Sequence, residues 1–271
     1  MSLPELFDRL ATAPAVLVQV HATQGSVPRE AGAWMAVFAD AVLGTIGGGR
    51  LEFDAIARAR ERLASGSGVV IERTALGPSL GQCCGGAVQL RYEPVSGADV
   101  ASLRTRIADH RTPVALFGGG HVGKALVRVL APLPFSVRWI DSRDEIFPEP
   151  LPPGVVCEHS DPVQAAVPEL APGSQVLIMS FSHAEDLDVV AACLARQRER
   201  GDLAGIGLIG SRTKWATFRH RLEARGFAAE ELDPVRCPIG LPELAGKEPE
   251  VIAVSVAAQL LSLRAPSPPR E

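Results

Sequence analysis

The sequence predicts an α/β protein in two parts, an N-terminal α+β domain followed by a domain with a mostly parallel sheet. Three observations predict it. From residue 113 onward, short apolar segments alternate with amphipathic stretches, the rhythm of strands joined by crossover helices. Before residue 96 the apolar segments follow one another closely, and one long helical pattern interrupts them. The 271 residues, 46% hydrophobic and 21% charged, suffice for two modest cores and argue against disorder or a fibrous design.

Taken in order, residues 3–10 predict a short helix, and AVLVQVH (15–21) is so nearly continuous in apolar residues that it predicts a strand. Gly25, Pro28 and Gly32 punctuate a loop, after which WMAVF (34–38) and VLGTI (42–46) pair around Ala39, Asp40 and Ala41. Gly47, Gly48 and Gly49 end that pair. They open a helix in which Leu51, Ile56, Ala59 and Leu63 recur at near-helical spacing and Arg and Glu form a solvated face. Strands at 69–76 and 87–95 bracket GPSLGQCCGG, and the first domain, 1–96, closes there. Residues 97–112 predict a polar helical connector. The second domain, 113–264, places strands at 113–117, 136–140, 155–157, 175–180 and 204–209, with helices after the first, fourth and fifth. That succession is Rossmann-like. A last amphipathic helix, 250–263, precedes a proline-rich tail, 265–271, expected to fray.

Composition narrows the function. Twenty-seven Lys and Arg against thirty-one Asp and Glu leave a charge of −4, which is no footprint for nucleic acid. No stretch approaches the roughly 18 apolar residues of a membrane span. The start, MSLPELFDRL, lacks the basic head and apolar run of a signal peptide, so a cytoplasmic location is expected. Five cysteines, with no CxxC pair, suit a reducing compartment better than a disulfide framework.

The chemistry points to an anionic ligand. ALFGGGHVGKAL sets Gly118, Gly120 and Gly123 in G-x-G-x-x-G register, after an apolar strand and at a helix start. Small residues let the backbone approach a phosphate, and the free N–H groups with the helix dipole supply the counter-charge. The same glycines also serve close helix–strand packing, and that alternative stays open. Asp141, about 20 residues on at the end of the next strand, is positioned to accept hydrogen bonds from a ribose or another polar ring. His121 stands either as a donor to the anion or as a residue at the helix start. In LIGSRTK, Ser211 is an N-cap candidate with Arg212 and Lys214 in the first turn, where cations call for an anion. His183 follows the fourth strand at the ligand-binding edge, or merely satisfies a local bond. In the first domain, TIGGGRLE repeats the strand–glycine–helix pattern at Gly47, Gly48 and Gly49 without its third glycine. Its Glu52 is either an acceptor for ring nitrogens or a first-turn acid. Two such openings in one chain suit a ligand with a phosphate arm and a polar ring.

Cys83 and Cys84 are adjacent and followed by Gly85 and Gly86, which lets the chain bend and expose a thiol. Their spacing excludes a zinc ribbon. The open alternatives are a soft-metal contact, sulfur exchange, or small buried residues. Cys157 and Cys193 read as core residues, and Cys237 stays ambiguous.

Together GSVPREAG, GTIGGGRLE, GQCCGG, FGGGHVGKAL, WIDSRDE, IGLIGSRTK and the PIGL turn resemble the XdhC/CoxI family, accessory factors of xanthine dehydrogenase and related molybdenum hydroxylases. The chain departs from the family pattern at Glu185, where a second histidine is common, and at Val251, where a second acid is common. The resemblance implies a chaperone, not an enzyme. It would bind molybdenum cofactor, a phosphorylated pyranopterin, support its sulfuration and insert it into its client. Cys83 and Cys84 would then be the metal contacts. The implied partners are the client's molybdenum-binding subunit and a cysteine desulfurase. A homodimer is preferred because symmetric pairs are the commonest assembly. The alternatives are an NAD(P)-dependent oxidoreductase with a nucleotide at the Rossmann loop, and a scaffold that binds no phosphorylated ligand.

Overall fold

The computed structural model describes residues 3–76, 85–107, 111–152 and 154–264. The chain divides into two compact units, the first ending at Asp109 and the second beginning at His110.

The first unit runs α1 (Leu3–Leu10), β1 (Ala15–Gln24), β2 (Trp34–Val37), β3 (Val42–Gly44), α2 (Gly49–Ser65), β4 (Val70–Ala75), β5 (Ala87–Val95) and α3 (Val100–Arg106). Its strands form an antiparallel sheet in the order β3-β2-β1-β5-β4. β1 lies at the centre. Because successive side chains point to opposite faces, Val16, Val18 and Val20 pack with Leu51, Ala55 and Ala59 of α2. Ala15 and Leu17 pack with Leu6 and Leu10 of α1 and Leu103 of α3 on the other side. Burial on both faces is why this strand shows no alternation in the sequence. The register shifts between Val20 and Ala22, so the strand continues past His21 to Gln24. Leu103 and Ile107 lie in the same core as Phe38. Residues 97–107 are thus packed into the first unit, drawn there by those two apolar side chains.

The second unit runs β6 (Thr112–Phe117), α4 (His121–Leu130), β7 (Phe135–Asp141), β8 (Val155–His159), β9 (Gln175–Ile178), α5 (His183–Arg200), β10 (Gly205–Leu208), α6 (Arg212–Ala224), α7 (Ala229–Leu232), β11 (Val235–Arg236) and α8 (Pro249–Leu263). All six strands are parallel, in the order β11-β10-β9-β6-β7-β8. Counted from β6, this is the 3-2-1-4-5-6 order of the Rossmann fold, as the strand–helix rhythm predicts. β11, at two residues, is too short to carry a periodic signal. α4 and α8 cover one face of the sheet over Val114, Leu116, Val137 and Trp139. α5 and α6 cover the other, over Phe117, Ile140, Val176 and Ile178. The chain leaves β6 for β7 on one side and reaches β9 on the other, so the carboxyl ends of β6 and β9 form the topological switch point of the sheet, the edge at which such folds bind ligands.

Candidate functional site

Three glycines between the end of β6 and the first turn of α4 do different work. Gly118 has φ 123°, and a Cβ there would lie 2.0 Å from the Met179 carbonyl oxygen. At Gly123 a Cβ would lie 2.1 Å from the Gly118 oxygen, which also accepts the Trp139 indole N–H at 2.9 Å. These two let strand, helix and neighbouring strand close together. Gly120 is unlike them. Its φ of −68° suits any residue, and a Cβ there would meet nothing within 4 Å. The missing side chain leaves open the approach to the first turn of α4, which no side chain among the described residues caps. By contrast Ser182 caps α5, accepting from the Glu185 N–H at 3.2 Å, and Ser211 caps α6, accepting from the Lys214 N–H at 3.1 Å.

Asp141 ends β7 and is 1% exposed. Its Oδ2 accepts the Gly119 N–H at 2.5 Å and Arg143 Nη2–H at 2.9 Å, while Oδ1 accepts the Arg143 backbone N–H at 2.9 Å and Nε–H at 2.8 Å. Burial pushes the carboxyl up, but the bonds from Arg143 and Gly119 outweigh it and hold it below the usual carboxylate range. The acceptor role expected of Asp141 toward a sugar or ring is therefore filled from inside the protein. Arg143, two residues on, lies with its Cζ 4.4 Å from the centroid of the Phe181 ring. Phe181 follows β9 and is 66% exposed. Its N–H donates to Glu185 Oε2 at 3.0 Å, and Glu185 Oε1 accepts from Ser142 Oγ at 2.8 Å.

Deeper along the same edge, Asp186 Oδ1 accepts the Ser180 N–H at 2.7 Å and Oδ2 accepts Lys214 Nζ–H at 2.7 Å. Lys214 also donates to the Ile209 carbonyl at 2.8 Å. The auxiliary anion site expected around Ser211 and Arg212 needs correcting on this point. The anion that offsets Lys214 at the start of α6 is the protein's own Asp186, while Arg212 is exposed in the first turn. Ser180 Oγ is buried and has no partner among the described residues. His121 is exposed in the first turn of α4, and His183 sits edge-on to Phe218 with ring centroids 6.5 Å apart.

In the first unit, the expected acceptor Glu52 folds back on its own loop. Its Oε2 accepts from Thr45 Oγ at 2.6 Å, the Ile46 N–H at 2.9 Å and the Gly48 N–H at 3.1 Å. Burial raises this carboxyl, and the bonds from Thr45, Ile46, Gly48 and Gly47 lower it further than burial raises it. Gly47, Gly48 and Gly49 all have positive φ, which accounts for three glycines in a row. α2 starts without a side-chain cap among the described residues.

Cys83 and Cys84 lie outside the described residues. Cys193 is fully buried, its thiol pushed up to about 12, which makes it inert at neutral pH. Burial also raises the half-buried Cys157 and Cys237. Among the described residues, no group of three His, Cys, Asp or Glu gathers as metal ligands, and no helix is long and apolar enough to cross a membrane.

The sequence pattern finds Gly118, Gly120, Gly123 and Asp141, and the fold brings them to one edge. It misses Phe181, Arg143, Glu185, Asp186 and Ser180 as members of that edge. The signal available for Arg143 and Phe181 is their place just beyond the ends of two strands.

Residues 114–260 match the XdhC Rossmann domain, and residues 9–73 match the XdhC and CoxI family. The uncharacterized protein YqeB of Escherichia coli (strain K12) is 28% identical over 264 residues, a match that covers 94% of this chain and 44% of that protein. The chain thus spans less than half the length of that relative. A crystal structure described as a xanthine dehydrogenase from Bacillus halodurans superposes with a TM-score of 0.77 at 20% identity, covering 97% of this chain and 96% of the other. At that identity the likeness is one of fold. With more than half its length matched by the Rossmann domain model and a further stretch of its first unit matched as well, the chain belongs to the XdhC and CoxI family.

Proposed function

We propose that the chain is an accessory protein that binds molybdenum cofactor and delivers it to xanthine dehydrogenase or a related molybdenum hydroxylase, without turning over a small substrate. Family membership supports the accessory role. The observation that carries the ligand class is Gly120, whose bare Cα borders open space at an uncapped helix start on the switch-point edge.

The residues fit the phosphate arm of such a ligand. Gly120 and the N–H groups of the first turn of α4 would hold it, with Gly118 and Gly123 keeping the turn tight and His121 beside it. The opening at Gly48 and Gly49 is the corresponding place in the first unit, with Glu52 bracing the loop rather than meeting the ligand. Cys83 and Cys84 would supply thiolate to the molybdenum. When bound, the cofactor supplies the metal and the sulfido ligand that the client needs. The partners on this reading are the client's molybdenum-binding subunit and a cysteine desulfurase, with a homodimer as the working assembly in the cytoplasm.

The test is to purify the protein from cells that make pterin cofactor, then measure molybdenum and the fluorescence of the oxidised pterin. Both are expected in near-stoichiometric amount. Protein that carries neither, and takes up neither when cofactor is supplied, overturns the proposal. The second reading, an NAD(P)-dependent oxidoreductase, is favoured by the 3-2-1-4-5-6 sheet with its glycine turn. Saturable nicotinamide binding with hydride transfer to a small carbonyl compound would establish it.

A further inference from the structure

The Rossmann edge holds an exposed aromatic ring that nothing in the core requires. Phe181 is 66% exposed, yet its position is fixed at two points: Glu185 accepts its N–H, and the Arg143 guanidinium lies against its face. Each of those partners is itself fixed. Glu185 is tied to Ser142, and Arg143 makes a bidentate pair with the buried Asp141, which also accepts the backbone N–H groups of Arg143 and Gly119. The chain of bonds thus runs from the glycine turn to the ring. Ordering a large exposed apolar side chain costs entropy, and a ring held rigid in advance is the usual device for binding a flat partner at low entropic cost. Asp141, with four bonds already made, has no acceptor site left for a sugar diol.

We propose that Phe181 and Arg143 form a preorganised stacking platform for the ring of a ligand that is both a fused planar nitrogen heterocycle and a phosphate ester. Asp141 and Glu185 act as positioning residues behind it. The inference rests on the phosphate reading of the glycine turn and adds the ring's place and the residues that select it. A pterin phosphate and a purine nucleotide share this chemistry.

The test uses the full chain and three probes: a pterin monophosphate, adenosine 5′-monophosphate and ribose 5-phosphate, the last having no ring. Stacking should quench the pterin's fluorescence on binding. Both ring-bearing probes should bind more tightly than ribose 5-phosphate, and Phe181→Leu should weaken them roughly tenfold while leaving ribose 5-phosphate unchanged. Phe181→Trp should restore both affinity and quenching. Glu185→Gln, which keeps an acceptor for the Phe181 N–H, should retain the quenching that Glu185→Ala loses. Stronger binding of the pterin supports the cofactor reading as well, and equal binding of both rings supports the platform with a broader ligand class. Equal affinity for all three probes in the wild-type protein, or an unchanged Phe181→Leu, overturns the platform and leaves the phosphate reading standing. Failure of every probe, ribose 5-phosphate included, overturns both.

Discussion

At the scale of single residues, the glycine turn separates what packing needs from what binding needs. Substituting Gly123 drives a Cβ to 2.1 Å from the Gly118 oxygen, a backbone atom that cannot swing aside. Gly123→Ala should therefore lower stability by about 3 kcal/mol, read as a lower denaturant midpoint. Gly120→Ala meets nothing within 4 Å and should leave that midpoint unchanged. The same methyl stands where the phosphate would approach, so binding of ribose 5-phosphate should fall at least tenfold. A Gly120→Ala protein that binds as the wild type does would remove the turn from the site. The motif made all three glycines legible in the sequence. It could not say which one is spare, because that depends on Met179 and Gly118, whose backbone atoms only the folded chain brings against them.

Asp141 carries a second prediction at this scale. Its carboxyl is held below its ordinary value of 3.8, so the stability it adds is complete above about pH 4 and is lost as pH falls through the lowered folded value. Asp141→Asn should cost about 2 kcal/mol at neutral pH, a value discounted because Arg143 is about one-third exposed. It should also flatten the acid limb of the stability profile, measured by denaturant titration between neutral pH and strong acid. An acid limb identical in wild type and variant would show that the Arg143 pair contributes nothing there.

At the scale of elements, an ion pair at the carboxyl edge joins α5 and α6. Lys214 rises from the first turn of α6 to the buried Asp186 of α5, and their side chains are 12% and 3% exposed. Lys214→Met should cost about 3 kcal/mol, since it strands a buried carboxylate. Adding Asp186→Asn, which keeps an acceptor for the Ser180 N–H, should recover part of that loss, and a double-mutant cycle measures the coupling. Additive effects would mean that the pair is not a unit. In the sequence, Arg212 and Lys214 in the first turn of a helix call for an anion, unless the segment is an ordinary surface turn. The anion is 28 residues upstream, brought within reach because β9 and β10 are neighbours and each feeds its helix from the same edge. Strand β1 shows the converse case. Its apolar run was plain, but that it lies at the centre of a sheet covered on both faces required α1 and α3 to be placed together on one side and α2 on the other.

For the molecule as a whole, the proposed thiolate contacts to the metal, Cys83 and Cys84, can be tested independently of the glycine turn. The double variant Cys83→Ser/Cys84→Ser should then lower the molybdenum-to-pterin ratio of purified protein several-fold, while pterin monophosphate binding stays as in the wild type. An unchanged ratio would remove the thiolates from the metal contact.

The sequence by itself determined the two architectures, the glycine turn and the family, because strand–helix rhythm and glycine spacing are local properties written along the chain. Only the tertiary structure decided how the polar groups at that turn are used. Hydrogen bonds between residues 20 to 45 positions apart, such as Gly119 with Asp141 and Ser142 with Glu185, depend on which strands end side by side. Three of the four bonds to Asp141 come from Arg143, two residues on, but the Gly119 bond and the stacking of Arg143 on Phe181 depend on the order of the strands that carry these residues.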